Sequence, residues 1–152
     1  MLTEKEKYNI IKSMFHNITA YFHELGYTVK INIQEYVTGY RILEFHYFSP
    51  DTGITALINF LATGASGEVN GFYGIFRKHG SLDLDLGKYI KLNFGEEALS
   101  TLRTGPVQNF TEAVKMPIQL IEDALKEEMK SILKGENWNI KYYKPWHEGT
   151  DY

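Results

Sequence analysis

The sequence predicts an α+β fold: an antiparallel meander sheet of five to six strands, with a long N-terminal and a long C-terminal helix on one face. Three observations carry it. Residues 4–25 hold an apolar stripe at three- and four-residue steps, as does the stretch from Pro117 onward, and the intervening residues alternate with period two. The turns between the alternating runs are too short for parallel crossovers, so consecutive strands must pair antiparallel. Strands grouped between helices, rather than alternating with them, define the α+β class.

The first helix is announced by Thr3 and Glu6, which have capping-box spacing. Ile11, Met14, Phe15, Ile18, Tyr21, Phe22 and Leu25 form its apolar face, and Gly26 stands where a left-handed C-terminal residue belongs. From Tyr27 the period is two: Tyr27, Val29, Ile31 and Ile33 alternate with Thr28, Lys30, Asn32 and Gln34. Residues 40–48 and 54–62 are a pair of strands joined by Ser49-Pro50-Asp51-Thr52-Gly53. In that turn Pro presets φ, Asp bonds the backbone and Gly supplies positive φ. Apolar residues stand on both faces of this hairpin, which places it at the middle of the sheet.

Another strand is expected over 69–78, with Gly71 and Gly74 marking close approach by a neighbour. Leu82, Leu84, Leu86, Ile90, Leu92 and Phe94 share one parity. Residues 82–94 therefore read as one long strand, or as a hairpin over Gly87-Lys88-Tyr89 that sets Asp85 opposite Lys91. A short helix follows over 96–102. Pro117 is placed at the first position of the second long helix, where its missing N–H costs nothing. Ile118, Ile121, Leu125, Met129 and Ile132 keep helical spacing up to Gly135. Residues 136–152 are an aromatic tail, with a last strand expected over Asn139–Tyr143. With no repeat and no linker, residues 1–152 read as one domain.

Composition narrows the functions. Sixteen basic and nineteen acidic residues leave a net charge of −3. Acidic residues outnumber basic ones in both halves, and the clustered Lys and Arg of a phosphate-tracking surface are missing, which argues against nucleic acid. The chain has no cysteine, so disulfides, thiolate metal sites and a Cys nucleophile are excluded. No apolar run approaches a membrane span, and the charged N-terminus is not a secretory signal, so the expected setting is the cytoplasm without membrane attachment. No motif calls for a cofactor or a metal ion.

The chemistry-bearing pairs are few. Glu44 and His46 share one strand face, a carboxylate beside an imidazole that suits acid/base work or two metal ligands, with no third partner in view. Asp83 and Asp85 also share a parity, and their alternation with leucines reads as the solvated side of a strand. Tyr40, Phe48, Trp138, Tyr142, Tyr143 and Trp146 offer the large area and polar tips favoured at interfaces.

Two amphipathic helices cover one face of the sheet and leave the second apolar face of the central hairpin without cover. The expected function is a non-enzymatic protein-binding module acting by stoichiometric capture of a protein partner, such as a toxin or effector. In size and build alone the chain is like bacterial toxin-immunity proteins and secretion chaperones. A homodimer would also bury that face. The alternatives are a lipid or small-molecule pocket between sheet and helix, and a small hydrolase-like enzyme using Glu44 and His46 or Asp83 and Asp85.

Overall fold

Thr3 starts the first helix as its spacing with Glu6 predicts. The Glu6 N–H donates to Thr3 Oγ1 at 3.1 Å and the Thr3 N–H to Glu6 Oε1 at 3.2 Å, so each satisfies an otherwise free donor. In the computed structural model, which describes residues 2–35, 41–63, 69–79, 83–104 and 109–138, this helix is α1 (Glu4–Met14). The expected single helix takes one step at Phe15 and continues as α2 (His16–Glu24). The hydrogen-bond path runs through the step, since the Phe15 N–H donates to Ile11 O and the Thr19 N–H to Phe15 O. Gly26, at φ +89°, turns the chain back, and the Tyr27 N–H reaches Phe22 O.

Strands β1 (Thr28–Glu35), β2 (Arg41–Phe48), β3 (Thr55–Thr63) and β4 (Val69–Arg77) form an antiparallel meander. The Ser49–Gly53 turn closes as predicted, with the Ser49 N–H on Ile54 O and the Gly53 N–H on Ser49 O. A two-residue strand, β5 (Leu84–Asp85), extends the sheet beyond β4, and a later one, β6 (Arg103–Thr104), pairs with the other end of β4. The α+β meander stands, with helices at both ends of the chain.

Residues 82–94 are neither one strand nor a hairpin. After β5 the chain enters α3 (Leu86–Phe94), followed by α4 (Glu96–Ser100). Leu86, Ile90 and Phe94 stand four apart, so they satisfy a helical stripe as well as a strand parity, and Asp85 decides between the two. Its backbone is extended, and its Oδ1 accepts the Gly87 N–H at 3.0 Å, which makes it a helix N-cap. Leu86, Tyr89 and Ile90 are then buried, while Leu92 is left exposed.

Pro117 does not start the second long helix. That helix, α5, spans Phe110–Lys126, and Asn109 caps it by accepting the Glu112 N–H on Oδ1 at 3.1 Å. Phe110 and Val114 extend the buried stripe back by two turns, and Pro117 sits buried in the helix interior. The chain leaves helical geometry at Glu127 and resumes in α6 (Lys130–Leu133), with Gly135 at φ +92° beyond it. The strand expected over Asn139–Tyr143, and residues Tyr40, Tyr142, Tyr143 and Trp146, lie outside the described residues.

All described helices feed one cluster. It takes Leu43, Phe45 and Tyr47 from β2, Ala56, Ile58 and Phe60 from β3, and Phe72 and Phe76 from β4. Phe15 stacks on Phe45 at 4.2 Å between ring centroids and Phe22 on Tyr47 at 4.0 Å, each pair adding about 0.5–1.5 kcal/mol beyond its burial. Tyrosine hydroxyls tie the layers together: Tyr47 meets Thr19 Oγ1 at 2.9 Å, and Tyr27 donates to Leu133 O at 2.7 Å.

Burial pushes the hydroxyls of Tyr27 and Tyr47 well above the ordinary tyrosine pKa of 10.0, with Thr52 and Thr19 respectively pulling part of the way back. Above that pH the unfolded chain gives up both protons and the folded chain keeps them, so stability falls as pH rises. Urea midpoints at about pH 9 and about pH 11 are expected to show this fall. The double variant Tyr27→Phe/Tyr47→Phe is expected to flatten it.

Candidate functional site

The face opposite the helices is assembled from alternate residues of four strands, and the register fixes which of them meet. Successive rows run Thr28–Phe48–Thr55–Arg77, Lys30–His46–Leu57–Ile75, Asn32–Glu44–Asn59–Tyr73, and Gln34–Ile42–Leu61–Gly71. None of these residues belongs to the buried cluster or to the side chains packed against it. Leu57 and Ile75 flank the polar third row on one side, Ile42 and Leu61 on the other. Phe48, 41% exposed, stands at the end of the face nearest the Ser49–Gly53 turn.

Glu44 and His46 are central on this face, as their shared parity requires. Glu44 stands between Asn32 and Asn59, and His46 between Lys30 and Leu57. Asn59 adds an unsatisfied group: its Oδ1 is buried and accepts no hydrogen bond from the described residues. A buried acceptor without a donor costs on the order of 1–3 kcal/mol, which an incoming donor would recover. Beside it, the Arg103 guanidinium lies over the Tyr73 ring at 5.1 Å.

Asp83 and Asp85 are elsewhere and are not solvated. Asp83 is 9% exposed, and its Oδ2 accepts the Arg77 Nε–H at 3.0 Å. Asp85 is 2% exposed and holds the start of α3. Its β5 position is opposite Ile75, three strands from His46, or roughly 14 Å at ordinary strand spacing. The fold therefore does not bring the Glu44–His46 pair and the Asp83–Asp85 pair together. Trp138 is half-buried against the core, with its Nε1–H on Ile132 O at 3.1 Å. Among the described residues no group of three or more His, Asp and Glu could hold a metal ion.

Tyr73, Ile75 and Arg103 escape a reading of the sequence. They join the face only through the β3–β4 and β4–β6 registers; the sequence signals a strand over 69–78 and nothing that links Arg103 to it.

A cleft lies beside α4. Its volume is about 420 Å³, with an apolar floor of Phe72, Leu99 and Leu102. Lys91, Glu96 and Arg103 rim it, with Lys91 paired to Glu96 at 3.4 Å.

Comparison with protein-family models, curated proteins and solved structures gives no significant match. Among the described residues no helix is long and apolar enough to cross a membrane.

Proposed function

We propose that the chain is a non-enzymatic, cytoplasmic binding module that captures a protein partner on the sheet face opposite the helices, the open face among the described residues. One observation carries this reading: two apolar pairs, Leu57–Ile75 and Ile42–Leu61, with Tyr73 in the row between them, lie outside the core that the described helices build. The face combines the ingredients of an interface centre. Its apolar rows supply desolvation energy, and Asn59 and Glu44 supply acceptors that fix orientation. Such a face suits a partner with an apolar patch and hydrogen-bond donors. A toxin or effector held stoichiometrically, as by an immunity protein or a secretion chaperone, is the class of partner proposed. Phe48 extends the surface at one end, and Tyr40, Tyr142, Tyr143 and Trp146, which lie outside the described residues, are proposed as further partner-binding residues. Trp138 contributes less, since its indole N–H is already bonded within the chain.

The test is titration calorimetry of the full chain with the product of the adjacent gene. One-to-one binding is expected, and Leu57→Asp, which sets a charge in the centre of the face, is expected to weaken it at least about tenfold. Met116→Asp, at a 66%-exposed site on α5, is expected to leave it unchanged. Loss of binding with Met116→Asp and not with Leu57→Asp would move the interface to the helices and remove this reading.

The cleft beside α4 favours a second reading, a small-molecule site. Its volume is within the usual ligand range of roughly 300–1,000 Å³, and it joins an apolar floor to a charged rim of both signs. Between sheet and helices, Phe15 stacks on Phe45 and Phe22 on Tyr47, which weighs against a pocket there. An enzyme would have to rely on Glu44 and His46, because Asp83 and Asp85 are committed to Arg77 and to the start of α3.

A further inference from the structure

The outer edge of β1 has no partner among the described residues, since the sheet order begins with β1 and its one neighbour is β2. The edge is long and regular. Eight consecutive residues pair with β2 without a bulge, and Thr28–Glu35 contains neither proline nor glycine. A strand of this kind presents a row of free N–H and C=O groups, which proteins usually interrupt or cover. Lys30 is the only basic residue in it.

The side chains along this edge are equally unfinished. Val29, Ile31 and Ile33 share the core-facing side of the sheet with Tyr47, Phe45 and Leu43, their register partners on β2. Those three partners are fully buried, whereas Ile31 is 41% and Ile33 44% exposed. The helical layer covers β2 and stops short of the far half of β1.

We infer that two copies of this chain pair through their β1 edges, antiparallel, with Ile31 on the two-fold axis. The sequence of the strand selects this register. Opposed residues must lie on the same face, so registers differ by steps of two. With Ile31 opposite itself, Val29 meets Ile33 of the second copy, and the apolar stripe becomes continuous across the junction. On the other face Lys30 meets Asn32 and Thr28 meets Gln34, so no like charges are opposed. One step in one direction sets Lys30 against Lys30, which is repulsive. One step in the other deprives Val29 of an apolar partner. Either parity of outward-pointing backbone groups is compatible with a two-fold at Ile31, because an antiparallel ladder alternates close and wide pairs. Such an isologous edge contact continues the sheet through both copies. It uses a different surface from the open face and does not depend on it.

The test is sedimentation equilibrium of the full chain across the micromolar range, with cysteine cross-linking to read the register. A mass of twice 17.6 kDa is expected, returning toward 17.6 kDa in Ile31→Glu. The chain has no cysteine of its own, so an introduced one reports without interference. Ile31→Cys is expected to form an intermolecular disulfide on mild oxidation, because opposed residues lie about 5 Å apart between Cβ atoms. Ile33→Cys is not, since its two copies would stand roughly 14 Å apart along the strands. Both sites are partly exposed, so neither substitution threatens the fold. A monomer throughout the range overturns the proposal. So does a dimer that survives Ile31→Glu and is lost in Leu57→Asp, or cross-linking at residue 33 equal to that at residue 31.

Discussion

Phe45→Ala is expected to remove about 3–5 kcal/mol of folding stability, a large share of the roughly 5–15 kcal/mol that holds a domain of this size. Phe45 is fully buried at the centre of β2 and stacks on Phe15 with the rings 15° from parallel. Its loss removes three contributions at once. The transfer energy of the ring is about 1.5–3 kcal/mol. The aromatic pair adds about 0.5–1.5 kcal/mol. The cavity adds a further cost, because Leu43, Tyr47 and Ile58 around the site are all buried and have little freedom to close it. Phe48→Ala, three residues along the same strand and on the other face, is the matched control. It is 41% exposed and is expected to cost no more than about 1 kcal/mol in the isolated chain. Urea denaturation reads both, and the midpoint is expected to move for Phe45 with the slope unchanged. Equal shifts for the two variants would contradict the assignment of the buried face.

The features legible in the sequence are those set within a few residues. Thr3 and Glu6 cap a helix by a contact three residues long, and the Ser49–Gly53 turn closes on bonds between near neighbours, Gly53 N–H to Ser49 O and Thr52 N–H to Ser49 Oγ. Alternation also identified the face carrying Glu44 and His46. Ambiguity entered where two periods coincide. Leu86, Ile90 and Phe94 fit a strand parity and a helical step equally, and the deciding contact, Asp85 Oδ1 to the Gly87 N–H, is a single hydrogen bond. An Asp before an apolar i, i+3, i+4 set (Leu86, Tyr89, Ile90) is the signal that could have settled it. Asn109 and Glu112 likewise have capping spacing, and they outweigh the preference of Pro117 for a first turn. The composition of the open face was beyond any local reading. Its rows join residues from four strands, and Asn59 becomes an orphan acceptor only because its register partners, Glu44 and Tyr73, do not bond its Oδ1.

Gly74 shows how a local cue and a distant contact combine, and Gly74→Ala is expected to destabilise the chain by about 1–3 kcal/mol. Alanine is the better strand former, and losing glycine's freedom in the unfolded chain favours folding by about 0.4–1 kcal/mol. Sterics oppose this. A Cβ at Gly74 would stand 2.7 Å from Leu86 Cδ2 and 2.8 Å from Leu86 Cβ. The Cδ2 can swing away by a rotamer change, but Leu86 Cβ is fixed to the backbone where β5 meets α3. Relief therefore requires moving the start of that helix away from β4, which disturbs the neighbouring Ile75–Asp85 pairing. The steric cost is expected to win. Gly71→Ala gives the contrast within the same strand: the nearest atoms to its Cβ would be the outer end of the Tyr73 side chain, at 3.0–3.2 Å, and not a backbone-fixed Cβ. Thermal unfolding is expected to show a clear loss for Gly74→Ala and little change for Gly71→Ala. In the double variant Gly74→Ala/Leu86→Ala the two costs are expected to be less than additive, since removing the Leu86 side chain beyond Cβ relieves part of the clash. Strict additivity would mean that the atoms of Leu86 beyond Cβ contribute nothing to the clash at position 74.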